Sequence, residues 1–362
     1  MIRIVHGADL HLDSAFVGLS EEKARQRRQE GRLLLDRLAA LVREEQADLV
    51  LLAGDLFDSR HVYPETLDHL ARALANMACP VFIAPGNHDP YQQGSPYASS
   101  IWPENVHIFR AEELQAVELP ALNCVVYGAA FTSPQRESEA LADFTAPADE
   151  KIHLMCLHGD VGGINGHYGP VALKQLGDSG VDYVALGHIH QYSGLQSQGI
   201  TAWAYPGCPE GRGFDETGDK GVLVCDVERG NTQLRFVPLC LRRYQIVEAD
   251  VSGKTAGQIL DALLPDGEND LCRVIFTGET DEKGIDIPAL EREYAGRFYV
   301  LQLRDNTRIS RDIWERAGED SLRGLFLRDL RRQYESAATQ EERDRVILAV
   351  RFGLAALDGR DI

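Results

Sequence analysis

Five largely apolar runs end in the same way, in a short loop of oxygen- and nitrogen-bearing side chains, and this repetition limits the possible folds more than any other feature of the sequence. The run at 81–84 breaks at Pro-Gly into Asn87, His88 and Asp89. Four other runs lead to Asp9 and His11 (after 2–5), Asp55 and Asp58 (after 49–53), His158 (after 152–157), and His188 and His190 (after 183–186). Because the carboxyl ends of neighbouring strands in an open α/β sheet form one edge, the sequence predicts that these loops share one rim.

The residues between these runs predict an α/β architecture. A helical stripe spans 21–45, and a second helix at 64–77 begins with proline, as helices often do. The strand at 48–53 is apolar almost throughout, which indicates burial on both faces by covering layers. Further strands are expected at 106–109, 124–127, 152–157, 201–205, 222–226 and 234–238, and they close the main domain near residue 240.

The remaining third of the chain predicts a smaller αβ domain over 241–305 and a helical region over 306–362. Strands are expected at 244–249, 271–276 and 298–303. Helices are expected from the capping box Thr255/Gln258 and from Ile287. In the tail, helices at about 321–337 and 339–357 each carry an apolar stripe, and the capping box Thr339/Glu342 opens the second.

Composition excludes several classes of protein. The net charge of -19 argues against duplex binding by the whole surface, because phosphate contacts come from Lys and Arg. The 7 cysteines show no C-x-x-C pairing and suit reduced, buried thiols. No run approaches the roughly 20 apolar residues of a membrane span, and the chain opens with a strand rather than a signal peptide. We therefore expect a cytoplasmic protein.

The ligand types on the rim favour a metal centre. Carboxylate and amide oxygens mixed with imidazoles, without thiolates, suit Mn²⁺, Fe²⁺ or Zn²⁺ with five or six ligands. Asp55 ends the central run of the set, so its carboxylate could bridge two ions, and such a pair holds a phosphoryl group and acidifies a bound water. Taken alone, Asp9-x-His11 is more typical of a turn with a packed histidine, and only the five motifs together favour the metal centre.

These motifs resemble those of a known family. Asp9-x-His11, Gly54-Asp55-x-x-Asp58, Gly86-Asn87-His88-Asp89, His158 and Gly187-His188-x-His190 resemble the calcineurin-like metallophosphoesterase superfamily over about residues 1–240. The stretches 9–16, 54–58, 205–207 and 209–211 are similar to SbcD-type DNA repair exonucleases, in particular the YhaO branch. The resemblance implies a two-layered sheet sandwich flanked by helices, followed by an αβ capping domain (241–305) and a helical partner-binding region (306–362).

The same resemblance implies roles for single residues. One Mn²⁺ would be bound by Asp9, His11, Asp55 and His190, and a second by Asp55, Asn87, His158 and His188. His88 would face the scissile phosphate as general acid or charge stabiliser. Asp58 matches the carboxylate that orients this histidine in many phosphatases, although archaeal and eukaryotic relatives of the exonuclease carry histidine there. For phosphate contacts, the residues nearest the expected cleft are Arg212, Arg242 and Arg243.

Two other functions compete with a metal-dependent DNA exonuclease or endonuclease. A small-molecule phosphoesterase of the same fold is compatible with the net charge of -19. A scaffold without activity is disfavoured because every metal and acid position is filled. The appended αβ domain and helices favour the nuclease, since a small substrate requires neither.

The helical region has two interpretations. The resemblance implies that its helices dock on an SMC-like ATPase of the SbcC/YhaN type, so that any association with a membrane would come through that partner. Alternatively, the helices bury their apolar stripes against the αβ domain. The oligomeric state, including a homodimer, is left open.

Overall fold

The computed structural model describes residues 1–59, 61–163, 166–267, 269–280, 284–309, 311–357 and 359. Its internal contacts divide the chain into two compact units, Met1–Arg243 and Tyr244–Ile362. Each unit has hydrophobic clusters of its own. Within the described ranges, no helix combines the length and the apolar composition that crossing a membrane requires.

The first unit contains two large sheets and their covering helices. Its strands are β1 Ile2–Gly7, β2 Leu49–Leu52, β3 Val81–Ile83, β4 Val106–Ile108, β5 Gln115–Leu119, β6 Cys124–Gly128, β7 Ile152–His158, β8 Asp160–Val161, β9 Pro170–Val171, β10 Tyr183–Gly187, β11 Gln196–Gln198, β12 Thr201–Ala204, β13 Gly221–Glu228 and β14 Asn231–Pro238. Its helices are α1 Glu21–Glu44, α2 Pro64–Asn76, α3 Pro96–Ser99 and α4 Leu173–Asp178, with a 3-10 turn at Pro120–Leu122.

Both large sheets have parallel centres; the first has one antiparallel edge, at β13 and β14, and the second has two, at β11 and β5. The first has the strand order β14-β13-β1-β2-β3-β4, and the second β11-β12-β10-β7-β6-β5. Strands β1 to β4 run parallel, as do β12, β10, β7 and β6. The carboxyl ends of neighbouring strands therefore meet at one edge of each sheet, as the sequence predicts.

Alternation of side chains along the strands builds the layers. On β1 and β2, Ile4 and Leu51 belong to a cluster shared with residues of the second sheet, such as Tyr183. Their neighbours on the opposite face, such as Val5 and Val50, join the cluster formed with α1 and α2. The outer face of the second sheet packs on α4. The predicted two-layered sandwich flanked by helices is confirmed. Successive side chains of a strand point to opposite faces, and each sheet here packs one face on the other sheet and the opposite face on helices.

The second unit is a small αβ domain followed by helices. Its elements are β15 Tyr244–Asp250, α5 Ala256–Gly267, β16 Leu271–Thr277, β17 Glu279–Thr280, α6 Ile287–Glu293, β18 Val300–Asp305, β19 Arg308–Ile309, a 3-10 helix Arg311–Gly318, α7 Leu322–Ser336 and α8 Gln340–Leu357. Strands β15, β16 and β18 form one parallel sheet, with α5 and α6 as the crossovers. The capping boxes predicted at Thr255 and Thr339 are formed by Gln258 and Glu342.

Two edge strands were not predicted from the sequence. Strand β5 pairs antiparallel with β6, and β11 pairs antiparallel with β12. All three residues of β11 are exposed, so this strand is held by backbone hydrogen bonds and lacks the apolar alternation that identifies a half-buried strand.

Candidate metal centre

The loops that follow β1 and β2 are joined by backbone hydrogen bonds. The Asp9 amide donates to the Gly54 carbonyl (3.0 Å), and the His11 amide donates to the Asp55 carbonyl (2.9 Å). Asp9, His11 and Asp55 all have left-handed backbone conformations, with φ of 54°, 43° and 51°. Such conformations are uncommon outside glycine and persist where surrounding contacts enforce them. The two loops therefore present their side chains from a fixed backbone.

Two glycines let the strand ends approach closely. A Cβ on Gly86 would lie 2.2 Å from Asp55 Oδ1, and a Cβ on Gly54 would lie 2.4 Å from His158 Nδ1. Only a residue without a side chain fits at either position. Gly86 thus brings the loop after β3 against Asp55, and Gly54 brings the loop after β2 against His158.

Asp9, His11 and His190 form the first cluster, with ligand atoms within 4.8 Å of one another. His11 Nδ1 lies 3.1 Å from Asp58 Oδ1, and His190 Nδ1 lies 2.7 Å from Glu216 Oε1. A carboxylate only accepts, so each Nδ1 carries the proton and each Nε2 is a bare acceptor. The two Nε2 atoms nevertheless face each other at 3.2 Å.

This contact between acceptors is explained by a shared cation. Two ligand nitrogens about 2.1 Å from one ion and at right angles are about 3 Å apart. The separation in the structure is 3.2 Å, and the third member of the cluster, Asp9, adds a buried carboxylate. The first cluster therefore fits a divalent metal ion.

The second cluster is built around Asp55 and His158. His158 Nδ1 donates to the carbonyl of Ala53 (2.9 Å), which leaves Nε2 facing Asn87 Oδ1 at 2.9 Å and Asp55 Oδ2 at 3.4 Å. The ring of His188 lies edge-on to that of His158, with centroids 5.3 Å apart. Asp55 Oδ2 is also 3.8 Å from His11 Nε2. One carboxylate group thus lies between both sets of imidazoles.

Two carboxyl groups of the site, Asp9 and Asp55, are buried close together, which disfavours their charged forms. Burial and the charge of Asp55 raise the pKa of Asp9 well above its ordinary value. Burial raises the pKa of Asp55, opposed by the neighbouring histidines. A bound divalent cation would favour the charged form of both carboxylates, because it offsets their desolvation and their mutual repulsion.

Three histidines of the site are neutral at ordinary pH. Burial lowers the pKa of His11, His158 and His188 to about 4 in each case. A neutral imidazole is the form that binds metal. The donor set, the bare Nε2 atoms and the paired carboxylates together fit divalent cations.

His88 differs from the other four histidines of the site, His11, His158, His188 and His190, in being exposed. Its ring lies edge-on to that of His11, with centroids 4.9 Å apart, and its Nδ1 donates to the main-chain carbonyl of Asp58 (3.2 Å). The family resemblance implies that the Asp58 carboxylate orients His88. In the structure that carboxylate instead accepts from His11 and from Arg212 (2.9 Å), because the chain turns the Asp58 carbonyl toward His88.

The three arginines expected to contact phosphate differ in location. Arg212 lies in the site, where it binds Asp58 and Glu216. Arg242 donates to Glu30, with NH2 2.8 Å from Oε1, and its side chain is only 15% exposed. The Arg242 guanidinium is thus paired with a carboxylate of the protein itself, and its position gives no support for a contact with substrate phosphate. Arg243 is more exposed and lies 3.8 Å from Asp219, and its role stays a prediction.

Two carboxylates of the site had no role assigned from the sequence. Asp89 is buried and accepts hydrogen bonds from the Gly86 amide (2.8 Å), the Phe57 amide (3.1 Å) and the Tyr97 hydroxyl (2.6 Å), which fixes the loop after β3. Burial and the charge of Asp55 raise the pKa of Asp89 to about 6. Glu216 accepts from His190, 26 residues earlier, and no sequence pattern connects the two.

Known proteins match this chain over most of the first unit. The sequence profile of the family described as calcineurin-like phosphoesterase matches residues 2–192. A Bacillus subtilis protein named "Uncharacterized metallophosphoesterase YhaO" is 34% identical over 247 residues, which cover 65% of this chain and 60% of that protein. This chain therefore spans about 60% of that relative's length.

Two further relatives are named as a subunit of the nuclease SbcCD. The one from Staphylococcus epidermidis is 26% identical over 288 residues, covering 69% of this chain and 73% of that protein. The one from Bacillus subtilis is 27% identical over 277 residues, covering 63% and 67%.

Proposed function

Because this chain belongs to the calcineurin-like phosphoesterase family, we propose that it is a nuclease that hydrolyses phosphodiester bonds of DNA, as an exonuclease or endonuclease, with two Mn²⁺ ions. The observation that carries the proposal is that the buried Asp55 carboxylate lies between two sets of imidazoles, with Oδ2 3.8 Å from His11 Nε2 and 3.4 Å from His158 Nε2. DNA as the substrate is supported by the relatives whose names describe a nuclease and by the resemblance of the motifs.

We assign the ligands as follows. One ion would be held by Asp9, His11, Asp55 and His190, and the other by Asp55, Asn87, His158 and His188. When bound, such a pair of ions polarises the phosphoryl group and lowers the pKa of water toward ~7. The loop backbone contributes by keeping Asp55 in place, since its Oδ1 accepts the His88 amide at 2.9 Å.

His88 would act on the leaving group. It is exposed beside His11 and is held by the Asp58 carbonyl, so its Nε2 can reach a bound phosphodiester. A protonated Nε2 would donate its proton to the leaving oxygen, or stabilise the charge that develops there. Tyr168 lies beside another residue of the site, with its ring centroid 5.3 Å from that of His188.

The test compares substrates and metals on one preparation. Purified full-length protein is incubated with single-stranded DNA, duplex DNA, bis-p-nitrophenyl phosphate and p-nitrophenyl phosphate, each with Mn²⁺, Mg²⁺ or EDTA. We expect cleavage of DNA with Mn²⁺ and none with EDTA. Asp55→Asn, which keeps the shape but removes the shared charge, should be inactive on DNA and on the diester alike. Glu137→Gln, an exposed change outside the site, is the matched control.

Two results would overturn this proposal. Cleavage that persists in EDTA would exclude the metal mechanism. A strong preference for p-nitrophenyl phosphate over DNA would identify a small-molecule phosphoesterase, the alternative with which the net charge of -19 is compatible.

We also propose that the two C-terminal helices dock on an SMC-like ATPase of the SbcC/YhaN type. Helices α7 and α8 pack on each other through Leu327, Leu330, Val350 and Leu354. Arg351 of α8 donates to the Thr307 carbonyl (3.1 Å) and binds Asp305, so the region also contacts the αβ domain. These contacts leave Leu322 and Leu325 exposed by 70% and 57%, so the helices keep apolar surface available for a partner.

Co-purification with the ATPase tests the docking. Truncation before Ser321, and the milder pair Leu322→Asp/Leu325→Asp, should abolish co-purification and leave basal Mn²⁺-dependent cleavage largely intact. Leu195→Asp, an exposed apolar residue of the first unit, is the control. Full-strength binding by the truncated chain would refute the docking role.

A further inference from the structure

The two clusters of the metal centre differ in what lies behind their histidines. His11 and His190 each donate Nδ1–H to a carboxylate, at 3.1 Å and 2.7 Å. His158 donates instead to a neutral carbonyl, that of Ala53, at 2.9 Å. A carboxylate behind a ligating imidazole raises its basicity and fixes the orientation of the ring more strongly than a neutral acceptor does. The difference therefore predicts unequal metal affinity at the two positions.

Arg212 connects the two carboxylates. Its NH1 donates to Asp58 Oδ1 at 2.9 Å, and its NH2 donates to Glu216 Oε1 at 3.0 Å. The Arg212 amide donates to the other oxygen of Glu216 at 2.7 Å. One planar guanidinium thus fixes the distance between the two carboxylates, and it offsets part of their repulsion. We call Asp58, Arg212 and Glu216 the carboxylate clamp.

The position of the proton on His190 supports this description. Arg212 NH2 lies 3.0 Å from His190 Nδ1, but both groups are donors once Nδ1 carries its proton. Glu216 Oε1 accepts from both, and the 2.7 Å contact with Nδ1 is the shorter one. The ring is therefore held with Nε2 bare and directed at His11.

Glu216 is built into the protein for this role. Its side chain is 7% exposed. It accepts hydrogen bonds from His190 Nδ1 (2.7 Å), from Arg212 NH2 (3.0 Å) and from the Arg212 amide (2.7 Å). Three donors thus hold this buried carboxylate in place against the imidazole.

We propose that the carboxylate clamp positions His11 and His190 and makes their metal position the tighter of the two, while the position at His158 and His188 is the weaker. This inference rests on the proposed function only in requiring that the centre binds metal. It assigns the side chains of Asp58 and Arg212 to positioning His11 and His190 rather than to contact with substrate or to orienting His88.

Calorimetric titration of the full-length, metal-free protein with Mn²⁺ tests the clamp without measuring activity. We expect two binding steps in the wild type. Glu216→Gln keeps the size but removes the charge, and it should weaken the tighter step by about 10–100-fold, the usual effect of losing such a partner. The weaker step should change little. His158→Ala should remove the weaker step and keep the tighter one.

Asp58→Asn is the second variant, because it alters the other arm of the clamp and must weaken the same step. Glu137→Gln is the matched control, since Glu137 pairs with the exposed His167 at 3.0 Å and should leave both steps unchanged. Unfolding curves in EDTA identify any variant that fails to fold.

The outcomes separate the clamp from the proposed function. Unchanged titrations for Glu216→Gln and Asp58→Asn, or weakening of the step that His158→Ala removes, would overturn the clamp and leave the nuclease proposal intact. A wild-type protein that binds no Mn²⁺ would overturn both. Two binding steps without DNA cleavage would overturn the nuclease proposal alone.

Discussion

Replacing Arg27 by methionine should strongly destabilise the first unit. The Arg27 side chain is fully buried and donates to Glu30 (2.8 Å), to Glu210 (2.5 Å) and to the Gly211 carbonyl (3.0 Å). It thereby ties α1 to the segment that precedes Arg212. Glu30 keeps Arg242 as a partner, whereas Glu210, whose side chain is 5% exposed, loses the cation to which it is paired.

The magnitude follows from leaving one buried carboxylate without its cation. Removal of one partner from a buried ion pair costs about 3–5 kcal/mol. The Leu241 amide, which donates to Glu210 at 2.8 Å, remains as partial compensation. We therefore expect the free energy of unfolding to fall by about 3–5 kcal/mol at pH 8. The exposed pair of Arg25 and Glu21 on the same helix makes Arg25→Met the control, with an expected change below about 1 kcal/mol.

The destabilisation caused by Arg27→Met should increase as the pH rises. Burial already raises the pKa of Glu210, although Arg27 opposes the shift. Without Arg27 the folded-state pKa rises further above that of the unfolded chain. Stability is then greatest below the unfolded pKa of about 4.3 and is lost as pH rises through the folded value. The destabilisation should be smaller at pH 5 than at pH 8.

Urea unfolding in EDTA measures the effect. In a Trp314→Phe background, the fluorescence of Trp102 and Trp203 reports on the first unit alone. The double variant Arg27→Met/Glu210→Gln should recover part of the loss, because it removes the unpaired charge. A loss below about 1 kcal/mol at pH 8, the size typical of an exposed pair, would refute the reasoning. So would a loss that does not shrink at pH 5.

Two further predictions concern the metal centre. His88→Ala should lower DNA cleavage by about 10²–10⁴-fold, because a positioned acid contributes that much. Metal analysis should still find both ions, since the proposed ligand sets do not include His88, and an empty centre in this variant would contradict the role assigned to it. Gly86→Ala should weaken Mn²⁺ binding measured by calorimetry, because the added Cβ would lie 2.2 Å from Asp55 Oδ1. The control Gly31→Ala, whose added Cβ has its nearest neighbour at 3.9 Å, should bind Mn²⁺ normally. Equal affinity in both variants would show that Asp55 can move without weakening metal binding.

Much of the fold could be predicted from the sequence, because its central strands carry local patterns. Strands such as Leu49–Leu52 are apolar throughout and end in turn residues, so both their existence and their burial follow from short stretches of chain. The edge strands Gln115–Leu119 and Gln196–Gln198 lack this signal. Their pairing comes from backbone hydrogen bonds, which any residue except proline can make.

The sequence by itself also determines which potential metal ligands stand at the end of each strand. Asp9, Asp55, Asn87 and His188 each follow a strand, His158 is the last residue of one, and parallel strands bring such ends to one edge of their sheet. The identity of the residues therefore indicated a metal centre before any distance was known.

Only the tertiary structure decided which partner each polar group takes. The Asp58 carboxylate accepts hydrogen bonds from His11 and Arg212, whereas the main-chain carbonyl of Asp58 accepts one from His88. Glu216 supports His190, and Arg242 binds Glu30, 212 residues earlier. Periodicity reports which face a residue occupies, but a hydrogen bond depends on the separation of two atoms within about 3 Å. That separation is set by how the loops pack, and no local pattern in the sequence encodes it.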